Sequence, residues 1–91
     1  GSRSHIVMLA AAERAIIEND PNRALRITDE LLKTHPKNFM VGRISVSALL
    51  KLDKIDAART KISAMGFDGG DVRKVVLLDL VAKHPAARDI F

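Results

Sequence analysis

Two stretches of this chain carry the same device 34 residues apart. "NDPNRALRITDELLKTHPKN" occupies residues 19–38, and "DKIDAARTKISAMG" begins at Asp53. Ala24 and Ala58 are separated by 34 positions, as are Asn19 and Asp53, Asn22 and Asp56, Thr28 and Ile62, and Leu31 and Met65. Upstream, Ala12 matches Val46, Ala15 matches Leu49 and Ile16 matches Leu50 at the same interval. A period of this length is one supersecondary unit per repeat. Each unit has an apolar face it cannot bury alone, so neighbours stack. In 91 residues there is room for two such units and a remainder.

The local pattern within each unit is helical. From about Ile6 to Glu18, Met8, Ala12, Ala15 and Ile16 share one face, with Leu9 and Ile17 beside them. "ENDP" ends that segment, with Asp20 as N-cap and Pro21 in the first turn of the next helix. From Pro21 to Thr34 the stripe is Ala24, Leu25, Thr28, Leu31 and Leu32, and Arg26 and Glu30 are spaced to pair. His35 and Pro36 stop the helix. A third helix is predicted from about Phe39 to Leu52, capped by Asn38. A fourth runs from about Lys54 to Met65, with Asp53 read as its cap. Gly66 and Phe67 read as a left-handed helix end and its hydrophobic contact. After the loop "DGGD", "VRKVVLLDLVAK" is predicted as a fifth helix ending at His84–Pro85. Five helices with short connections and no strand predict an all-α fold of antiparallel helical hairpins. A bundle whose period is coincidence is the competing architecture, since any bundle shows apolar spacing.

Composition excludes several function classes. The chain has no cysteine, so a disulfide framework and cysteine–zinc sites are out. His5, His35 and His84 show no ligand spacing, and the two that precede proline read as helix-end residues. "DGGD" lacks the ligand spacing of a calcium loop, and "GFDGG" is not followed by the lysine and serine of a phosphate loop. No catalytic residues, metal or cofactor are expected. The net charge is +4, but the charges are interspersed and only Phe39, Phe67 and Phe91 are aromatic. A base-stacking platform is therefore not expected. The apolar runs are shorter than the roughly 20 residues of a membrane span, and no clear signal peptide is present. That favours the cytoplasm, with the periplasm open if the chain is a piece of a longer protein. Residues 1–4 read as a cloning remnant.

The "LKLDKIDAA" turn ending in alanine, the "HPKN" boundary and the 34-residue period resemble the tetratricopeptide-repeat family over about residues 5–85. The resemblance implies one domain over residues 5–91: repeats at about 5–38 and 39–72, a capping helix at about 72–84 and a short tail, 85–91. It also implies a right-handed stack. Met8, Gly42, Ala15 and Leu49 replace the family's tryptophan and tyrosine, Val46 stands where a small residue is usual, and Gly70 replaces a boundary proline.

In such arrays the first helix of each hairpin lines a groove that takes a peptide or helix. By matched positions the resemblance assigns Ile6, Leu9, Glu13 and Ile17 to that groove. It adds Met40, Arg43, Ser47, Leu50 and Lys51 from the third helix, and Lys74, Leu77 and Val81 from the fifth. Core burial is the competing role for Leu9, Ile17, Leu50 and Leu77. The family's clamp for a terminal carboxylate is not expected, because Leu9, Glu13, Ile44 and Leu78 depart from it and only Lys74 matches. Because "VVLLDLVA" is apolar on nearly every face, Leu78, Val81, Ile90 and Phe91 are candidates for self-association, against folding back of the tail. The expected function is a non-catalytic protein-interaction module within a larger protein or assembly. A dedicated secretion chaperone for one client is the first alternative. A nucleic-acid or polyanion binder using Arg43, Lys51, Arg73 and Lys74 is the second.

Overall fold

The computed structural model describes residues 2–65, 77 and 80–85. Four helices follow one another: α1 (Ser2–Ile17), α2 (Pro21–Thr34), α3 (Phe39–Lys51) and α4 (Ile55–Met65). Residues 77 and 80–82 are helical too, and no strand occurs among the described residues. The chain is all-α. Its hairpins stack: α1 packs on α2, α2 on α3 and α3 on α4, and α1 also meets α3.

The repeat is written in the backbone hydrogen bonds. At the end of α1, the Asp20 N–H donates to the Ala15 carbonyl (2.7 Å) and the Asn19 N–H to the Ile16 carbonyl (3.0 Å). At the end of α3, the Lys54 N–H donates to the Leu49 carbonyl (2.9 Å) and the Asp53 N–H to the Leu50 carbonyl (3.1 Å). Each pair is a Schellman end, which satisfies carbonyls that a helix terminus leaves open. The turn residue of that motif is left-handed, and Asn19 and Asp53 both sit at φ 58°. Asn and Asp are the non-glycine residues that tolerate this region best. Asn19→Val is therefore expected to lower stability by about 1–2 kcal/mol, whereas Asn19→Gly leaves the thermal midpoint unchanged or raises it. A calorimetric scan of the two variants checks this.

Asp53 thus belongs to the end of α3, and its predicted role as the cap of α4 is corrected. The cap position falls on Lys54, whose carbonyl accepts from the Ala58 N–H (3.0 Å), as the Asp20 carbonyl accepts from the Ala24 N–H (3.2 Å). Left-handed geometry at Asp53 sends its carboxylate elsewhere: Oδ1 lies 2.9 Å from His84 Nε2. The caps at Asp20 and Asn38 stand where the sequence puts them, whereas Gly66, Phe67, the "DGGD" loop and Arg73 lie outside the described residues. The Arg23 N–H donates to Asp20 Oδ1 at 3.3 Å, and the Val41 N–H to Asn38 Oδ1 at 3.2 Å. Glu30 meets Lys33 at 3.0 Å rather than Arg26. α1 starts at Ser2, four residues ahead of the apolar periodicity, because a nucleated helix extends at little cost where nothing caps or breaks it.

Two apolar clusters hold the stack. In the first, Ala12, Ala15 and Ala24 of hairpin one receive Ile44 and Ala48 of α3. In the second, Val46, Leu49 and Ala58 of hairpin two, with Leu50 and Ile62, receive Leu77 and Val81. The receiving residues match at 34 positions, but Ile44 to Leu77 and Ala48 to Val81 are separated by 33. The interval between the packing residues of the two joints is thus one residue short of the repeat. The C-terminal helical residues therefore do to hairpin two what α3 does to hairpin one.

Small residues make the first joint close. One of them is wasteful: Ser45 is fully buried, and its Oγ has no hydrogen-bond partner among the described residues. The matching position in α1 is Ala11. Ser45→Ala is expected to stabilise the fold by about 1 kcal/mol, since it removes a buried hydroxyl without a partner. A chemical-denaturation midpoint reads the gain.

Candidate binding groove

The side-by-side packing of α1 and α3 brings two charged residues together. Arg43 Nη2 lies 2.6 Å from Glu13 Oε1, with the two side chains 25% and 46% exposed. A pair this open adds little stability but ties the two first helices in register. Beside it is a concavity of about 190 Å³ lined by Glu13, Ile16, Ile17, Arg43, Ile44 and Ser47. Such a volume is below the roughly 300–1,000 Å³ of cofactor and small-molecule sites. It suits one anchoring side chain. Apolar walls from Ile16, Ile17 and Ile44 and a charged rim from Glu13 and Arg43 give it an amphipathic lining.

Four of the predicted groove residues, Glu13, Ile17, Arg43 and Ser47, meet at this place. Ile6 and Met40, at matching positions near the starts of α1 and α3, are exposed, as are Ile17 and Lys51. Leu9 is half-buried against the first cluster. Leu50, Leu77 and Val81 do not line an open groove; all three are core residues of the second cluster. A 34-residue step assigns Leu77 and Val81 to the groove, but they stand 33 residues after Ile44 and Ala48 and share their packing role. Leu50 follows Leu49 at the Schellman end, where it is covered by the same helical residues. Lys74, Leu78, Ile90 and Phe91 lie outside the described residues. Ile16 and Ile44 were missed as lining residues. The signal was present for Ile44, since positions 43, 44 and 47 share a helix face.

A second concavity, of about 570 Å³, opens between the second helices, lined among others by Leu25, Asp29, Leu49, Lys54, Ala57 and Lys61. Lys61 Nζ and Asp29 Oδ1 stand 4.0 Å apart across it. The first helices, α1 and α3, are in contact, whereas this cleft separates the second helices, α2 and α4.

The histidines pair rather than cluster. The rings of His5 and His35 lie 4.0 Å apart, tilted by 40°, and His84 meets Asp53. Among the described residues no group of three or more His, Asp or Glu is placed to hold a metal ion, and no helix is long and apolar enough to cross a membrane. No family model matches the chain, and neither does any curated protein or solved structure.

Proposed function

We propose that this protein is a non-catalytic interaction module, in the manner of a tetratricopeptide array, which receives a peptide or short helix of a protein partner between α1 and α3. The observation that carries this reading is the concavity of about 190 Å³ where Glu13, Ile17, Arg43 and Ser47 meet. Its size admits one apolar anchor, and its charged rim orients the residues on either side of that anchor. Exposed Ile6, Ile17 and Met40 extend the apolar surface along the same two helices. A dedicated chaperone cradling a hydrophobic segment of one client is a narrower form of the same proposal. Binding to a polyanion is disfavoured, because Arg43 is already engaged by Glu13.

The test is an NMR titration of the whole chain with amphipathic helical peptides that each carry one leucine or phenylalanine anchor. Shifts are expected at Glu13, Ile17, Arg43 and Ser47. Ser47→Trp, which fills the concavity, is expected to weaken binding about tenfold or more, equivalent to about 1.4 kcal/mol. Affinity should change little between about 50 and 200 mM salt, whereas a polyanion complex loses orders of magnitude over that range. Shifts confined to the α2–α4 cleft, or a steep loss with salt, overturn the reading.

A further inference from the structure

The cleft between α2 and α4 has no part in the proposed peptide groove. Its volume of about 570 Å³ falls within the roughly 300–1,000 Å³ of small-molecule sites. Its floor is core: Leu25 packs against both apolar clusters, and Leu49, 6% exposed, belongs to the second. Its α4 wall is Ala57, Thr60, Lys61 and Ala64, which share one helix face. The repeat does not dictate so open a wall, because Ala57 and Ala64 stand where α2 has Arg23 and Glu30. The polar groups of the cleft are unequal. The Thr60 hydroxyl donates to the Asp56 carbonyl of its own helix at 3.0 Å. Lys61 and Asp29 face each other at 4.0 Å and offset one another's charge. Lys54 forms no ion pair among the described residues. Its backbone is fixed on both sides, the N–H on the Leu49 carbonyl at 2.9 Å and the carbonyl on the Ala58 N–H at 3.0 Å. The cleft is thus an apolar trough with one unmatched positive charge at the end where α4 begins.

We propose that this cleft binds a medium-chain aliphatic carboxylate. The carboxylate accepts hydrogen bonds from Lys54 Nζ, and the chain lies over Leu25 and Leu49, along Ala57 toward Ala64. Those two alanines are seven residues apart, roughly 10 Å along the axis at 1.5 Å per residue, which is room for a chain as well as a head group. One ammonium, with three donors and a single charge, matches one singly charged head. An anion without an apolar body leaves the trough wet, and a neutral chain leaves the Lys54 charge unmatched. The proposal does not rest on the peptide groove, so either can fail without the other.

The test is an NMR titration of the whole chain with acetate, hexanoate, octanoate and octanamide, each kept below its micelle concentration. Octanoate is expected to shift Leu25, Leu49, Ala57 and Ala64. Each methylene added between hexanoate and octanoate should raise affinity about two- to fourfold. Lys54→Gln, at an exposed site, should weaken octanoate about tenfold and leave octanamide unchanged. Ala57→Leu with Ala64→Leu fills the trough and should abolish the octanoate shifts. Both alanines are exposed, so the thermal midpoint should stay within about 4 °C. Equal affinity for acetate and octanoate, equal affinity for octanamide, or octanoate shifts at Glu13, Ile17, Arg43 and Ser47 instead, overturn the proposal. So does a cleft that ignores octanoate but shifts with amphipathic peptides, because it assigns the trough to a protein partner.

Discussion

Ile44→Ala is expected to destabilise the protein by about 2–5 kcal/mol, the range for truncating a fully buried branched side chain. For a domain of this size each kcal/mol moves the midpoint by about 4–8 °C, so the loss is about 8 °C or more. Ile44 is 1% exposed and is the side chain by which α3 fills the space above Ala12, Ala15 and Ala24. Those three alanines are themselves fully buried and lie in close-packed helices, so the site has little room to collapse around the missing atoms. Calorimetry of the variant reads the cost. A loss under 1 kcal/mol would mean that the two hairpins do not rely on this joint.

Leu77→Ala is the second large effect, again about 2–5 kcal/mol. The outcome separates two roles for one residue. A leucine lining an open groove could be truncated with a change of no more than about 0.5 kcal/mol, because surface substitutions away from packed features cost little. Leu77 is instead 0% exposed among Val46, Leu49, Leu50, Ala58, Ile62 and Val81. Its removal opens a cavity against hairpin two and leaves hairpin one untouched. Amide exchange should therefore accelerate in α4 more than in α1 and α2. Small domains have only about 5–15 kcal/mol of total stability, so either substitution removes a large share of it.

The order of the described helices and the bounds of α2 and α3 were legible because capping and turn chemistry are local. Asp20, Pro21, Asn38 and the His35–Pro36 stop act within four residues of themselves, and the structure places them as the sequence does. The 34-residue spacing also carried real information, since it recurs in the backbone bonds at Asn19 and Asp53. What was not legible depended on distance or on geometry without a letter. Asp is a preferred cap at the start of a helix and is found, less often, at a left-handed helix end. The letter alone did not say which, and the answer lay in the match to Asn19. The register of the last helical residues turned on an interval of 33 residues in place of 34. A one-residue shift on a helix rotates every side chain by about 100°, since there are 3.6 residues per turn. That rotation moves Leu77 and Val81 from a groove to a core. Glu13, Ile17, Arg43 and Ser47 line one concavity between α1 and α3, whereas Leu50 lies in the core with Leu77 and Val81.

The central claim is that one docking geometry is used twice in succession. Methyl–methyl nuclear Overhauser contacts measure it directly in the intact chain. Ile44 and Ala48 methyls should contact those of Ala12, Ala15 and Ala24, and Leu77 and Val81 methyls should contact those of Val46, Leu49 and Ala58. Contacts from Leu77 to hairpin one, or from Ile44 to any partner set other than those three alanines and their immediate neighbours, would contradict it.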